Sequence, residues 1–338
     1  MRNPQHWRCG VDMAIPTRKV GPYEVSAIGL GCWPLSGVPK AASHILQDRD
    51  GAIAVIQAAL DLGITLIDTA DVYAPTWNTF GHNELLIAEA IRTWSGNSHA
   101  KAKIVVATKG GVTRDKGVDA FGIGGRNASK HYLYRAVEAS ALRLGVSKIK
   151  LWQHHRLDPA IPYETQFENV MTLHQHGFVE NIGIGNVNAE QLRRAIEIGG
   201  KASEGGVVSV QNEFSPRQRN WQEVIDICAE NGIAYLPWSP LGGIDKGAAD
   251  VGTSRYGKFV EVANTKGVSP FAITIAWHLA NFPNSIPIPG STKVANYLDT
   301  AQGLNVQLSA DELELLNSNL PPSSPVEEEL LDGVQFRD

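Results

Sequence analysis

A (β/α)8 barrel, an α/β fold of the TIM-barrel class, is what this sequence predicts, on three observations. From about Ala52 onward, short β-type runs alternate with stretches of helical period, the pattern of parallel βα units. The strand-like runs are continuously apolar rather than alternating, as strands covered on both faces are. Eight strand and helix pairs can be counted, the number that closes such a barrel.

Residues 1–16 read as an N-terminal extension, and Thr17 to Glu24, around Gly21-Pro22, as a β-hairpin preceding the barrel. VSAIGLG is then the first barrel strand and DGAIAVIQAALDLG its helix. LGITLIDTA is followed by HNELLIAEAIRTW, KIVVATK by SKHYLYRAVEASALRLG, and IKLWQHH by PYETQFENVMTLHQHG. VENIGIGN precedes AEQLRRAIEIGG, and VVSVQNEFS precedes WQEVIDICAENG. IAYLPWSP leads through a Gly-rich loop to SPFAITIAWHLANF, and SIPIPG leads to VANYLDTAQGL. Gly63, Gly145, Gly177 and Gly232 each stand where a left-handed turn ends a helix, and Ser269-Pro270 supplies an N-cap with proline at the first helical position. The barrel domain is placed at 17–320, with SADELELLNSNL as an extra C-terminal helix. Residues 321–338, PPSSP and then an acidic run, form a tail that is either a lid or a frayed terminus.

The chain has 338 residues, 43% apolar and 19% charged, which is ordinary globular composition with ample core. Its formal net charge of −5 and the lack of a dense Lys/Arg stripe exclude the electrostatic footprint of a nucleic-acid binder. Cys9, Cys32 and Cys228 are odd in number and lack CxxC spacing, which argues against a disulfide framework or zinc site and for a reducing cytoplasm. The N-terminus has no apolar h-region, and no run approaches the roughly 18 apolar residues of a membrane span. These features predict a soluble, cytoplasmic protein without a membrane partner or a metal.

Barrel active sites lie at the C-terminal ends of the strands, so polar residues standing there are the candidates. Asp68 follows Thr65-Leu66-Ile67, Lys109 follows Ile104 to Thr108, and His155 follows Ile149 to Gln153 and His154, while Tyr73 lies on the loop past Asp68. Asn186, Gln211, the Trp238-Ser239 pair and Ser291 stand at later strand ends. Singly, each has a plain structural reading: Asp68 as a helix cap, Lys109 as a solvated strand end, Gln211 as a partner for loop amides. Polar or aromatic groups at seven adjacent strand ends make a shared site the better reading. His154 and His155 face opposite ways on a strand, so one alone reaches the pocket. A His-His metal site lacks a third ligand. Gly29-Leu30-Gly31 and Gly183-Ile184-Gly185 are GxG fragments without the third glycine, so they are not a Rossmann fingerprint.

The segments VSAIGLGCW, LIDTADVYAP with GHNELLIAEAI, VVATKGG, KLWQHHRLDP, IGIGN, SVQNEFS, LPWSPLGG and IPIPGST resemble the aldo-keto reductases, from Thr17 to about Leu308. By that resemblance Asp68, Tyr73, Lys109 and His155 form a catalytic tetrad. A free tyrosine, with pKa near ~10, is a poor donor at neutral pH; an adjacent Lys109 ammonium is expected to lower it. Asp68 is expected to hold that ammonium inside the barrel mouth, and His155 to donate a hydrogen bond to the substrate carbonyl. His154, at a position often apolar in related sequences, is expected to be packed or hydrogen-bonded elsewhere.

The resemblance also implies a nicotinamide cofactor, NADPH first and NADH as the alternative. Asn186 and Gln211 are expected at its carboxamide and Trp238 stacked on its ring, with Gly31 and Trp33 nearby. Ser239, Leu241 and Gly242 are expected at the pyrophosphate, and Gly290, Ser291, Thr292 and Lys293 at the adenosine phosphate end. Asn296 stands where many NADP-preferring members carry arginine, and Gly185 where a serine is usual, so one carboxamide contact is expected to be lost. Trp33, Tyr73, Trp77 and His155 are expected to line the substrate pocket. The implied reaction is NAD(P)H-dependent reduction of an aldehyde or ketone, a sugar among them, or its reverse. An NADPH-binding regulatory subunit with little turnover is the alternative, and the oligomeric state stays open.

Overall fold

The structure, a computed structural model, describes residues 15–36, 48–114, 125–242 and 256–325. The expected N-terminal extension up to residue 14, the tail from residue 326, and three internal segments at 37–47, 115–124 and 243–255 lie outside the described residues. A hairpin of β1 (Thr17–Val20) and β2 (Tyr23–Ser26) precedes the barrel, its strands antiparallel about Gly21 at φ 55°. Seven parallel strands follow in sequential order: β3 (Leu30–Gly31), β4 (Leu66–Asp68), β5 (Val105–Gly110), β6 (Leu151–His154), β7 (Ile182–Gly185), β8 (Val207–Gln211) and β9 (Ala234–Tyr235). The segment read as the first barrel strand is thus divided, Val25 and Ser26 pairing in the hairpin and Leu30–Gly31 in the barrel.

The expected eighth strand, SIPIPG, closes the ring without regular ladder geometry, and its prolines explain why. The amides of Ile286 and Ile288 donate to Tyr235 and Pro237 on one side, at 2.7 and 3.2 Å. On the other side the carbonyls of Pro287 and Pro289 accept from Gly29 and Gly31, at 2.9 and 3.0 Å. Both prolines face β3, where their missing N–H leaves only half of the ladder. The closing segment lies so near β3 that a Cβ on Gly31 would stand 2.6 Å from the Ile288 carbonyl oxygen.

Along the strands the interior is layered. Leu66, Val105, Leu151, Val208 and Ile286 form an apolar lower layer, closed at the bottom by Val20 and Val25 of the hairpin. The intervening residues, such as Ile67 and Trp152, point outward into the contacts with the helices. Above the apolar layer the inward side chains turn polar, and there the candidate residues collect.

The helices start and stop as their caps dictate. Ser269 accepts from the Ala272 amide ahead of Pro270, and Gly63, Gly145, Gly177 and Gly232 are all left-handed. Two helices outside the sequence expectation are Ser98–Lys103, capped by Asn97, and Gly257–Lys266, in a stretch read as loop up to Lys258. The extra C-terminal helix is Ala310–Asn317, opened by a Ser309/Glu312 capping box. Beyond it, Ser324 donates to the Arg217 carbonyl at 2.6 Å and the Gln218 amide donates to the Pro325 carbonyl at 3.2 Å, so the start of the tail lies along residues 217–220. Among the described residues no helix is long and apolar enough to cross a membrane.

Candidate active site

Four strand ends bring Asp68, Lys109, Gln153 and Gln211 into one polar layer. The Lys109 ammonium donates to Asp68 Oδ2 at 2.8 Å, to the Thr69 carbonyl at 2.7 Å and to the Tyr73 hydroxyl at 3.1 Å. Asp68 Oδ1 accepts from Gln211 Nε2 at 2.8 Å and, more distantly, from Gln153 Nε2 at 3.5 Å. Side-chain exposure is 2% for Lys109 and 4% for Asp68, so the ion pair is out of water and each charge depends on the other. A carboxylate surrounded by three N–H donors is held as an acceptor, which fits its ionised form.

Tyr73 reaches this layer because its loop is fixed at both ends. The Asp71 amide donates to the Lys109 carbonyl at 3.0 Å, and the Asn83 amide to the Tyr73 carbonyl at 3.1 Å. Asn83 is itself tied to Thr69 and to the Cys32 carbonyl. The Tyr73 ring meets His155 edge-on, with centroids 5.7 Å apart, and the Lys109 ammonium lies 4.8 Å from the Tyr73 centroid.

The electrostatics correct one expectation. Burial pushes the Tyr73 pKa above 10, and the opposing pull of Lys109 does not overcome it. Burial is the larger effect, and the Asp68 carboxylate, 2.8 Å from the ammonium, pushes in the same upward direction. Burial works against the Lys109 charge as well, but Asp68 and Tyr73 outweigh it and leave Lys109 above 10.5. Asp68 is pushed up by burial, with Lys109 and the two glutamines pulling it back. Burial, with Lys109, Arg156 and Arg126 adding positive charge, holds His155 well below 6.5, so its ring is neutral.

His155 lines the cavity and His154 does not, as strand alternation requires. His154 is packed beside Gly111, 3% exposed, and burial lowers its pKa to about 4. On the neighbouring strand ends, the Asn186 amide nitrogen donates to the His155 carbonyl at 2.9 Å, and its oxygen accepts from Trp238 Nε1 at 3.1 Å. Asn186 and Ser239 are the two described non-glycine residues with positive φ, at 57° and 48°. Gly31, Trp33, Gly185, Gln211, Ser239 and Leu241 also border the cavity, which reaches Gly290 at its rim. Gly242 donates its amide to the Ser239 carbonyl at 2.9 Å in the turn beyond. Ser291 and Lys293 form a tight turn at the start of helix Val294–Ala301, the Ser291 hydroxyl accepting from the Lys293 amide at 3.1 Å. Thr292, Lys293 and Asn296 are exposed there.

Trp77, expected on the pocket wall, is not among the residues lining the cavity. It sits within the Thr76–Thr79 turn, which the Thr79 amide closes on the Thr76 carbonyl at 3.2 Å. Gln153, Ser209, Arg114 and Arg156 went unnoticed in the sequence. Gln153 could have been found by counting two back from His155 to the next inward position, and Ser209 two back from Gln211; Ser209 donates to Gln153 at 3.3 Å. Arg114 and Arg156 line the cavity from the loops after β5 and β6.

A model of the aldo/keto reductase family matches residues 27–320. An uncharacterized oxidoreductase of Schizosaccharomyces pombe is 30% identical over 296 residues, 87% of this chain and 87% of its own length. A probable aldo-keto reductase of Glycine max is 30% identical over 323 residues, 88% of this chain and 86% of its own. Among solved structures, an aldo-keto reductase from Klebsiella pneumoniae in complex with NADPH is similar at a TM-score of 0.70 and 22% identity, covering 93% of this chain and 98% of that one. An aldo/keto reductase from Brucella melitensis is similar at 0.68 and 21%, covering 91% and 99%. With its barrel, its strand-end residues and the family match over most of its length, the chain belongs to the aldo/keto reductase family.

Proposed function

We propose that the chain is an NAD(P)H-dependent oxidoreductase that reduces an aldehyde or ketone, a sugar among them, or runs the reverse, with Tyr73 as proton donor. The observation that carries this reading is the Lys109 ammonium, bonded at once to Asp68 and to the Tyr73 hydroxyl at the floor of an apolar cavity. A protein that only bound a nucleotide would have no use for a buried ion pair aimed at a phenol. The oxidoreductase names of its relatives and an NADPH complex among the similar folds support the same class.

The donor set fits a nicotinamide nucleotide. Trp238 offers an aromatic face fixed through its indole N–H by Asn186. Asn186 and Gln211 bring amides to the same wall, and the Ser239 to Gly242 turn and, beyond the cavity, the Ser291–Lys293 turn add polar groups and the exposed Lys293 cation. The exposed Lys293, with the half-buried Ser291 beside it, favours NADPH as the first choice of cofactor. When bound, the reduced cofactor supplies a hydride for the carbonyl carbon.

The chain's own groups do the rest. Tyr73, protonated through neutral pH, gives its proton to the carbonyl oxygen. Lys109, 3.1 Å from that hydroxyl, stabilises the phenolate as it forms, and Asp68 fixes Lys109 so that no reorganisation is needed at that moment. His155 Nδ1 is buried without a partner, which assigns the ring proton to Nε2, since an orphaned N–H is costlier than a lone pair. From there it donates to the same carbonyl oxygen and orients it. Positioned proton transfer of this kind contributes about 10²–10⁴ in rate. Tyr73→Phe is accordingly expected to lower carbonyl reduction by about that factor while tryptophan quenching on NADPH addition persists. Near wild-type reduction by this variant would sink the assignment.

A further inference from the structure

The proton-delivery groups occupy one side of the mouth, and two guanidinium groups share it. Lys109 ends β5 and His155 follows β6; Arg114 and Arg156 lie just beyond those same strands and line the same cavity. The residues suited to a nucleotide come from the other side, after β7, β8, β9 and the closing segment 285–289. The wall of the same cavity also carries the apolar side chains of Trp33, Val72 and Val112.

We infer that the substrate is a carbonyl compound bearing a carboxylate, an oxo-acid whose carbonyl sits at Tyr73 and His155 and whose acid group is held by Arg156 and Arg114. This deepens the reductase reading and rests on it. Arginine matches a carboxylate with two parallel N–H donors, and in a cavity with apolar walls that contact is stronger than on an open surface. Arg156 directly follows His155, so the acid-holding group and the carbonyl-orienting group come from the same strand end. The positive charge of Arg156 is already felt at both partners of the carbonyl: it lowers His155 and opposes the upward shift of Tyr73. An apolar or aromatic body then fills the gap along Trp33, Val72 and Val112.

The test compares 4-carboxybenzaldehyde with its neutral counterpart, methyl 4-formylbenzoate, in the wild-type protein and in Arg156→Gln, Arg114→Gln and Arg156→Lys. The wild-type ratio of kcat/KM, acid over ester, is expected to exceed about 10, since a charged hydrogen bond discriminates by roughly that factor or more. Arg156→Gln or Arg114→Gln should lower the ratio by about tenfold, and Arg156→Lys should keep more of it than Arg156→Gln. An ester reduced as well as the acid would overturn the inference and leave the reductase reading standing. Unchanged ratios with a raised KM for NADPH in both glutamine variants would also overturn it, assigning the arginines to the cofactor. Should neither aldehyde turn over, the reductase reading is the one that fails, and binding decides the inference. Quenching of tryptophan fluorescence by benzoate but not methyl benzoate, lost in Arg156→Gln, supports it; equal response to both, or to neither, overturns it.

Discussion

Removing Lys109 tests the floor of the site through stability as well as rate. Lys109→Met leaves Asp68 as a buried carboxylate facing two glutamine amides and no cation. Breaking a buried ion pair by deleting one partner costs about 3–5 kcal/mol. The low end applies here, because Gln211 at 2.8 Å still donates to Asp68 and burial already favours protonation of that carboxyl. At roughly 2.1 cal/mol/K per residue, 338 residues unfold with an entropy of about 0.7 kcal/mol/K, so a loss of about 3 kcal/mol lowers Tm by about 4 °C. Asp68→Asn alone strands the ammonium with the Thr69 carbonyl and the Tyr73 hydroxyl, at a similar cost. The double variant Asp68→Asn/Lys109→Met buries neither charge and is expected to lie above both single variants in stability. Urea unfolding of the four proteins closes the cycle, with an expected coupling energy of about 2 kcal/mol or more, in the range for residues in direct contact. Single-variant losses that add within about 0.5 kcal/mol would show that the two charges do not depend on each other, and would refute the account of the site given above.

Acid should destabilise the protein through buried imidazoles. Burial depresses His154 and His278 from 6.5 to about 4, so the stability they contribute is fully present above pH 6.5 and is lost as the pH falls toward 4, where the unfolded chain binds protons that the folded one refuses. Each contributes up to about 3 kcal/mol, and chemical denaturation across that window should show less loss in His154→Gln than in the wild type; an unchanged pH slope would mean that the ring is solvated. For the cofactor, Asn296→Arg adds a guanidinium at an exposed position near Lys293, and the ratio of kcat/KM for NADPH over NADH is expected to rise by roughly tenfold or less, as fits a solvated contact to phosphate. No rise would place the 2′-phosphate elsewhere.

The strand ends were legible because a buried parallel barrel leaves few places for a charge. Asp68, Lys109 and His155 stand out as polar breaks after apolar runs, and alternation alone separates His155 from His154. Gln153 and Ser209 obey the same alternation but lie inside their strands, where a polar residue looks like an interruption of the core rather than part of a site. The closing strand was legible as apolar, yet its two prolines remove the N–H groups that a regular ladder needs. Trp77 was placed by its neighbourhood in sequence, but it belongs to a four-residue turn and is not among the residues lining the cavity. The direction of the Tyr73 shift was not readable, because it depends first on how deeply the loop buries the hydroxyl and then on the balance of Lys109 against Asp68, both matters of tertiary packing.

Gly185 and Asn186 show why a lost family residue need not weaken the site. A Cβ at position 185 would stand 3.2 Å from the carbonyl oxygens of Gln211 and His155 and 3.3 Å from that of His154, so a serine there requires those backbones to give way. The glycine lets β7 approach both neighbours. The next residue then takes a left-handed conformation, which asparagine tolerates better than most. In that position the Asn186 amide N–H donates to the Gln211 carbonyl at 3.0 Å, while its side chain bonds the His155 carbonyl and the Trp238 indole. One residue therefore ties the Trp238 ring to the backbone of His155. The Trp238 side of the cavity and the backbone after β6 are thus held together by this one asparagine, and a side chain at position 185 would press on the carbonyls around it.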